Sequence, residues 1–252
     1  MSDLIYPAIQ TAAQRQMRQL AVLIDPDKMD AERLPDLAEL LNISKVDYVF
    51  VGGSLMTGSF FNECTQWLKA HAEAPVVLFP GSSLQVHPAA DALLLLSLIS
   101  GRNPELLIGN HVAAAPLLKS SGLEIIPTGY MLIESGKLTS VVYMSHTTPI
   151  PSDKPDIAMC TAMAGEMLGM KLIYMDAGSG AGRPVTASVI RSVKKNISIP
   201  LIVGGGIRCK DSAAAAWKAG ADLVVVGNAL EKDPLFLVDL CRERDLVNNV
   251  KV

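Results

Sequence analysis

Three side chains are suited by type and position to do chemistry: Asp25, Ser54 and Asp176. Asp25 opens the run Asp25-Pro26-Asp27-Lys28, straight after the apolar stretch Leu20–Ile24. Ser54 follows Gly52-Gly53 at the end of Val46–Val51. Asp176 lies within Tyr174-Met175-Asp176-Ala177-Gly178-Ser179-Gly180-Ala181. An aspartate beside a serine hydroxyl suits a hard cation: Mg²⁺ takes oxygen ligands, keeps waters, and needs few protein groups when a substrate phosphate completes its shell. A carboxylate at Asp176 can accept a proton from a substrate hydroxyl brought within about 2.6–3.2 Å. Plainer readings stand beside both, because Asp and Pro also build turns and an aspartate also bonds the backbone of its own turn.

The second signal is glycine. Leu201, Ile202 and Val203 run into Gly204-Gly205-Gly206, and Leu223–Val226 runs into Gly227-Asn228. Glycines after a strand let backbone N–H groups approach an anion, usually phosphate. A tight turn with no ligand is the plainer alternative. Two successive strands that end in glycine match the phosphate cup common after strands seven and eight of (β/α)₈ barrels. Arg102, in Gly101-Arg102-Asn103, is a candidate anion contact or a surface arginine at a helix start.

The elements that must position these residues alternate along the chain. Strands are expected over Leu20–Ile24, Val46–Val51, Pro75–Phe79, Ala92–Ser97, Leu123–Pro127, Leu172–Tyr174, Leu201–Val203 and Leu223–Val226. Helices are expected over Leu4–Gln19, Ala31–Leu41, Ser59–Ala72, Pro104–Lys119, Ile157–Leu168, a stretch from Thr186 to Asn196, Ala213–Ala219 and Pro234–Asp245. Thr186 and Asp211 are candidate helix caps, and Gly220 is a good helix-ending residue. Phe60, Phe61 and Trp67 read as core rather than as ligand stackers. Tyr130–Glu134 and Thr139–Met144, on either side of Ser135-Gly136-Lys137, suggest an inserted β-hairpin. Only about ten residues separate Ser82 from the fourth strand, too few for a crossover helix. The fold expected is therefore α/β, a modified (β/α)₈ barrel with the helix after strand three missing or replaced. At 252 residues it forms one domain, 1–252. The polar and glycine-rich residues then gather at one mouth.

Composition narrows the class. Half the residues are hydrophobic and 19% are charged, ample for one large core, and the net charge is −3. No basic tract interleaves with aromatics, which argues against nucleic acid. Cys64, Cys160, Cys209 and Cys241 lack the spacing of a zinc site or a disulfide framework, so reduced thiols in a cytoplasmic protein are expected. No targeting segment and no span of transmembrane length is visible. The mean hydropathy of +0.32 is high and allows apolar surface that a ligand or partner covers.

At these residues the chain resembles the geranylgeranylglyceryl phosphate synthase family. Leu23–Lys28, Val51–Ser54, Ser100–Pro104, Tyr174–Ala181, Val203–Arg208 and Val226–Asn228 carry the likeness, in order and over nearly the whole chain. The resemblance implies a prenyltransferase that joins a polyprenyl diphosphate to the 3-hydroxyl of sn-glycerol 1-phosphate and releases diphosphate. It implies Mg²⁺ on Asp25 and Ser54. It also implies glycerol phosphate on Tyr174, Met175, Asp176, Ala177, Gly178, Ser179, Gly180, Gly204, Gly205, Gly227 and Asn228, with Asp176 as base. A homo-oligomer and transient contact with a membrane surface fit the same picture. Two departures matter. Many members carry Glu where this chain has Asp176. Relatives that use heptaprenyl diphosphate carry a lysine at the position of Leu23 and Tyr-Ser-Gly near Ala177–Gly180, so the geranylgeranyl branch is favoured. The rivals are a sugar-phosphate isomerase or aldolase barrel, and a non-catalytic barrel that binds phosphometabolites. A Schiff-base aldolase would want a strand-borne lysine at the mouth, whereas Lys28 lies beyond its turn.

Overall fold

A computed structural model describes residues 4–82, 85–227 and 235–249. Eight strands pair in parallel, each with the next in the chain, and the last closes on the first. They are β1 (Gln19–Ile24), β2 (Tyr48–Val51), β3 (Val76–Leu78), β4 (Ala92–Leu98), β5 (Glu124–Leu132), β6 (Leu172–Asp176), β7 (Leu201–Gly204) and β8 (Leu223–Val226). The helices are α1 (Ile5–Gln14), α2 (Leu34–Ser44), α3 (Phe61–His71), α4 (Asn110–Ser120), α5 (Ser140–Ser145), α6 (Pro155–Met167), α7 (Ala187–Lys194), α8 (Lys210–Ala219) and α9 (Phe236–Asn249). The expected modified (β/α)₈ barrel is the fold observed.

Strand alternation divides the core in two. Tyr48, Phe50, Val77, Leu94, Ile126, Leu172, Tyr174, Ile202 and Val225 fill the barrel interior. Their neighbours Val49, Val76, Leu93, Ile173, Val203 and Val224 join an outer layer packed against the helices. Helix α1 closes the barrel's N-terminal end, placing Ile5 and Ile9 in the interior cluster. The Glu124 carboxylate at the start of β5 accepts the N–H groups of Ile5 and Tyr6, satisfying donors that a helix N-terminus leaves open.

Carboxylates staple that same end. Asp47, Asp91 and Asp222 each precede a strand, and each accepts an N–H from the start of the strand before. The donors are Leu20 to Asp47, Val76 to Asp91 and Leu201 to Asp222, all at 2.8 Å. Each carboxylate also meets a cation: Arg244 at 2.7 Å, Lys69 at 2.7 Å, and Lys194 at 2.6 Å with Arg18 at 3.2 Å.

Several expectations need correction. Helix α1 ends at Gln14 rather than Gln19, because β1 needs Gln19 to pair with Leu223. Helix α2 starts at Leu34, since Asp30 accepts the Arg33 N–H and turns the chain first. The expected hairpin is absent. Tyr130–Leu132 continue β5, paired with Tyr174–Asp176, and Ser140–Ser145 form α5, with Val141 and Val142 packed on the barrel interior. Burial outweighs the β-propensity of the Val-Val-Tyr run here. The helix expected from Pro104 opens as a π turn, Glu105–Gly109, before α4. Cys209 stands at the N-cap of α8 in place of Asp211, and its N–H meets Ser212 Oγ at 3.4 Å. Thr186 does stand at the N-cap of α7, but its hydroxyl pairs with Ser188 Oγ at 3.0 Å. Pro234 lies outside the described residues.

Among the described residues no helix joins β3 to β4. Strand β3 covers β4 only at Ala92 and Leu93, while β5 pairs with β4 through Leu98. The upper edge of β4 is thus free of strand on one side. His111 Nε2, on α4, donates to the Leu96 carbonyl there at 2.9 Å.

Breaking one staple should weaken the fold. Asp222→Ala leaves Arg18, Lys194 and the Leu201 N–H without their buried acceptor. A loss of about 3–5 kcal/mol is expected by urea denaturation. Asp239→Ala, at an exposed pair with Arg242, should be close to neutral in the same measurement.

Candidate active site

The C-terminal ends of the strands form the mouth, and β6 supplies its central carboxylate. Alternation turns Tyr174 and Asp176 inward. Met175 and Ala177 point into the outer core instead, so they offer a ligand only backbone. The Ala177 N–H is itself bonded to the Gly204 carbonyl at 3.1 Å.

Asp176 is only 8% exposed. Its Oδ2 accepts the Tyr130 hydroxyl at 2.5 Å and its Oδ1 accepts the Gly178 N–H at 2.7 Å. Burial pushes its carboxyl above the ordinary carboxylate range, while these two bonds, which favour the anion, pull it back. Burial, and then the Asp176 charge, push the Tyr130 and Tyr174 hydroxyls well above the usual phenol value, so both remain donors. The two rings and Phe79 pack as a trio with centroid separations of 5.5, 5.8 and 5.1 Å.

Glycine makes room around this trio. A Cβ on Gly204 would lie 2.5 Å from the Tyr174 hydroxyl. Gly205 has φ +78°, and a Cβ there would lie 2.6 Å from the Gly178 nitrogen and 2.7 Å from the Ala177 nitrogen. The β6 and β7 loops therefore interlock backbone to backbone. Arg208 reinforces them by donating to the Ala181 carbonyl. Ser179 is exposed and Gly180 half-buried on the rim of this loop. Gly227 sits beside the Leu23 carbonyl, a Cβ there being 3.2 Å away. This joins the end of β8 to the end of β1. Asn228 lies outside the described residues.

Pairing of β1 with β2 sets Gly52-Gly53, the residues just before Ser54, beside Asp25. The Gly52 N–H donates to the Ile24 carbonyl at 3.0 Å, and a Cβ on Gly53 would lie 3.1 Å from Asp25 Oδ1. Asp25 caps a 3₁₀ turn, Pro26–Lys28, accepting the Asp27 N–H at 3.2 Å and pairing with Lys28 at 3.3 Å. Gln85, almost buried, steadies the neighbouring backbone: it accepts the Gly81 N–H at 2.9 Å and donates to the Gly53 carbonyl at 3.5 Å. One carboxylate and one nearby hydroxyl, both at least partly exposed, fit Mg²⁺ bound with waters and substrate phosphate. Among the described residues there is no cluster of three or more His, Cys, Asp or Glu able to hold a metal unaided.

The opposite wall is apolar. Leu98 and Leu132 are buried in the interior cluster, and Leu106, Val141 and Val142 pack over it. Arg102 donates to its own Gly101 carbonyl at 2.7 Å, which settles it in its loop. Sequence reasoning missed Tyr130, Phe79 and Gln85. The uninterrupted apolar run through Gly129-Tyr130-Met131-Leu132-Ile133 carried the signal for a longer β5. It also missed Arg183, which holds the β6 loop to the α5 segment through Glu134 at 3.0 Å and Ser152 at 3.2 Å.

The interlocked loops set a graded test. Gly205→Ala meets both strain and backbone collision, whereas Gly180→Ala at φ +76° meets strain alone, with nothing within 4 Å. Positive-φ strain costs about 1–3 kcal/mol. Gly205→Ala should lose clearly more thermal stability than Gly180→Ala, and should bind phosphate more weakly by calorimetry.

Comparison with known proteins places the chain. The PcrB family model matches residues 13–244. The geranylgeranylglyceryl phosphate synthase of Chitinophaga pinensis is 55% identical over 240 residues, which is 95% of each chain. The (S)-3-O-geranylgeranylglyceryl phosphate synthase of Thermoplasma acidophilum, solved with its substrate sn-glycerol-1-phosphate, superposes with a TM-score of 0.90. It is 32% identical, with 95% of this chain and 98% of that one covered. A thiamine phosphate pyrophosphorylase of Pyrococcus furiosus, 15% identical at a TM-score of 0.56, shares the fold alone. With its strand ends, glycine loops and near full-length similarity in agreement, the chain belongs to the PcrB family.

Proposed function

We propose that this chain is a Mg²⁺-dependent prenyltransferase that forms an ether between the 3-hydroxyl of sn-glycerol 1-phosphate and a geranylgeranyl diphosphate. The observation that carries this reading is the division of the mouth. A glycine-lined polar end at β6–β8 adjoins Asp25 and Ser54, and an apolar wall at β4–β5 faces them. One substrate must present a phosphate and a hydroxyl, and the other a diphosphate with a long apolar tail. The upper edge of β4, free of strand on one side, would give that tail a way out of the barrel. The relatives' names and the glycerol phosphate in the Thermoplasma acidophilum structure support the same pair.

In this reading the loops Tyr174–Gly180, Gly204-Gly205 and Gly227-Asn228 hold glycerol phosphate. Backbone N–H groups supply most of the attraction, since glycine dominates these loops. Asp25 and Ser54 would hold Mg²⁺, which stabilises negative charge on departing diphosphate. The bond between the prenyl C1 and the diphosphate oxygen breaks with its electron pair leaving on diphosphate. The glycerol 3-oxygen forms the new C–O bond, and its proton passes to Asp176. Tyr130 and the Gly178 N–H hold that carboxylate in place. Tyr174 covers the floor beneath Gly204. Lys28 is ion-paired to Asp25 on the turn, a placement that disfavours a Schiff-base aldolase.

Exposed apolar residues on α4 and α6, among them Val112, Leu117, Ile157 and Met167, favour a homo-oligomer. Four free cysteines suit the cytoplasm. No helix among the described residues is long and apolar enough to cross a membrane, so contact with a lipid surface would be peripheral.

Incubation with labelled sn-glycerol 1-phosphate, Mg²⁺ and prenyl diphosphates of several lengths should yield an ether lipid by mass spectrometry, longest-chain preference at geranylgeranyl. Full turnover in EDTA, or no ether with any chain length, would contradict the reading. Asp176→Asn should lower kcat by about 10²–10⁴-fold while leaving glycerol phosphate affinity within a few fold. Because burial raises the Asp176 carboxyl, activity should fall with decreasing pH at values above the ordinary carboxylate range near 4. An acid limb at or below that value would show that Asp176 is not the base.

A further inference from the structure

Asp27 is the acidic residue of the β1 turn to which neither the metal nor the base has been assigned. Its side chain is exposed, yet both of its oxygens are bonded within the protein. Its Oδ2 accepts the Thr57 N–H at 2.6 Å and the Thr57 hydroxyl at 3.0 Å, and its Oδ1 accepts the Gly58 N–H at 3.1 Å. A Cβ on Gly58 would lie 2.9 Å from Asp27 Oδ1, so the carboxylate sits close against the Gly58 backbone and a side chain there would shift it. Thr57 follows Ser54 by three residues, and Asp27 follows Asp25 by two.

These contacts close a ring. Asp25 Oδ1 accepts the Asp27 N–H, the Asp27 carboxylate grips Thr57-Gly58, and the chain returns through Ser54 to Gly53. There a Cβ would again meet Asp25 Oδ1 at 3.1 Å. The residues between Val51 and Phe61 form no helix or strand, so nothing regular fixes Ser54 relative to Asp25. Three hydrogen bonds to one ionised group are the fixing element, and bonds to charged groups are the stronger kind.

We infer that Asp27 is a positioning residue, which ties the β2 loop carrying Ser54 to the turn carrying Asp25 and so sets the spacing of the two oxygens offered to the metal. The inference rests on the reading of Asp25 and Ser54 given above. It assigns Asp27 to the loop and not to the metal, because three protein donors already converge on its two oxygens.

The probe is inorganic diphosphate with Mg²⁺, titrated by calorimetry, with sn-glycerol 1-phosphate titrated separately. Amide hydrogen exchange at Thr57 and Gly58 supplies a readout independent of turnover. In Asp27→Ala, diphosphate binding with Mg²⁺ should weaken at least tenfold and glycerol phosphate binding should stay within about twofold. Exchange at Thr57 and Gly58 should quicken at least tenfold. Asp27→Asn keeps one acceptor oxygen and should fall between Asp27→Ala and the unaltered protein in both readouts. Asp25→Asn is the reference. If Asp25→Asn binds Mg²⁺ and diphosphate as well as the unaltered protein, the site reading fails and the inference with it. If Asp25→Asn loses binding while Asp27→Ala retains it, only the inference fails. If Asp27→Ala loses binding with exchange at Thr57 and Gly58 unchanged, Asp27 is a ligand and the positioning role is overturned.

Discussion

The missing side chain at Gly204 is the constraint on which the mouth depends. Pairing of β6 with β7 sets Asp176 opposite Gly204, and the Tyr174 hydroxyl rises into the space that a Cβ at Gly204 would take. Any larger residue would force Tyr174 towards Tyr130 and Phe79, whose rings are already in contact. Tyr130 would then lose its line to Asp176 Oδ2, and with it one of the two bonds that favour the ionised form of a buried carboxylate. One absent methyl group on β7 thus governs the position of a carboxylate two residues beyond Tyr174 on β6. Close packing makes this chain of dependence stiff, since interiors transmit small displacements rather than absorb them.

The two ends of the barrel use charge in opposite ways. At the N-terminal end, Asp47, Asp91 and Asp222 are each paired with a cation and bonded to a neighbouring strand. Those charges are spent on register. At the mouth, Asp176 is bonded only to uncharged donors, a hydroxyl and an amide. Neutral donors favour the anion of a carboxylate without pairing it to a counter-ion, and burial raises its affinity for a proton. The ion pairs at the mouth, Lys28 with Asp25 and Arg183 with Glu134, do not include Asp176.

Much of this was legible in the sequence, and the reasons differ by element. Strands β1, β2, β7 and β8 are apolar runs ending in glycine or aspartate, so both their existence and where they end at the mouth could be read. That no helix joins β3 to β4 among the described residues followed from segment length. Strand β5 was misread because Ser135-Gly136-Lys137 carries turn chemistry and its flanks alternate. Only tertiary pairing with β6 shows that Tyr130–Leu132 belong to the barrel. With β5 cut short, Tyr130 was lost from the site. Met175 and Ala177 were legible as members of a motif, but the direction of their side chains was not, since facing follows from register. Asp27 looked like half of a turn signal. Its partners lie about thirty residues away in a segment without periodicity, and no local pattern announces them.

The irregular side of the barrel is where fold and chemistry meet. A crossover helix after β3 would cover the upper edge of β4 and seal that sector. Here β3 stops at Leu78, and β4 continues to Leu98 with β5 alone beside it. The uncovered edge still has backbone groups to satisfy, and His111 takes the Leu96 carbonyl. A substrate with a long apolar tail is better served by such an opening than by a sealed mouth. The tail would leave between elements, along leucine side chains, rather than back through the polar end. The departure from a regular barrel therefore separates the two substrates' demands: backbone amides and carboxylates over β6–β8 and β1, and an apolar way out at β3–β4. A regular barrel with the same glycine loops would still bind phosphate, but it would have nowhere to put the chain.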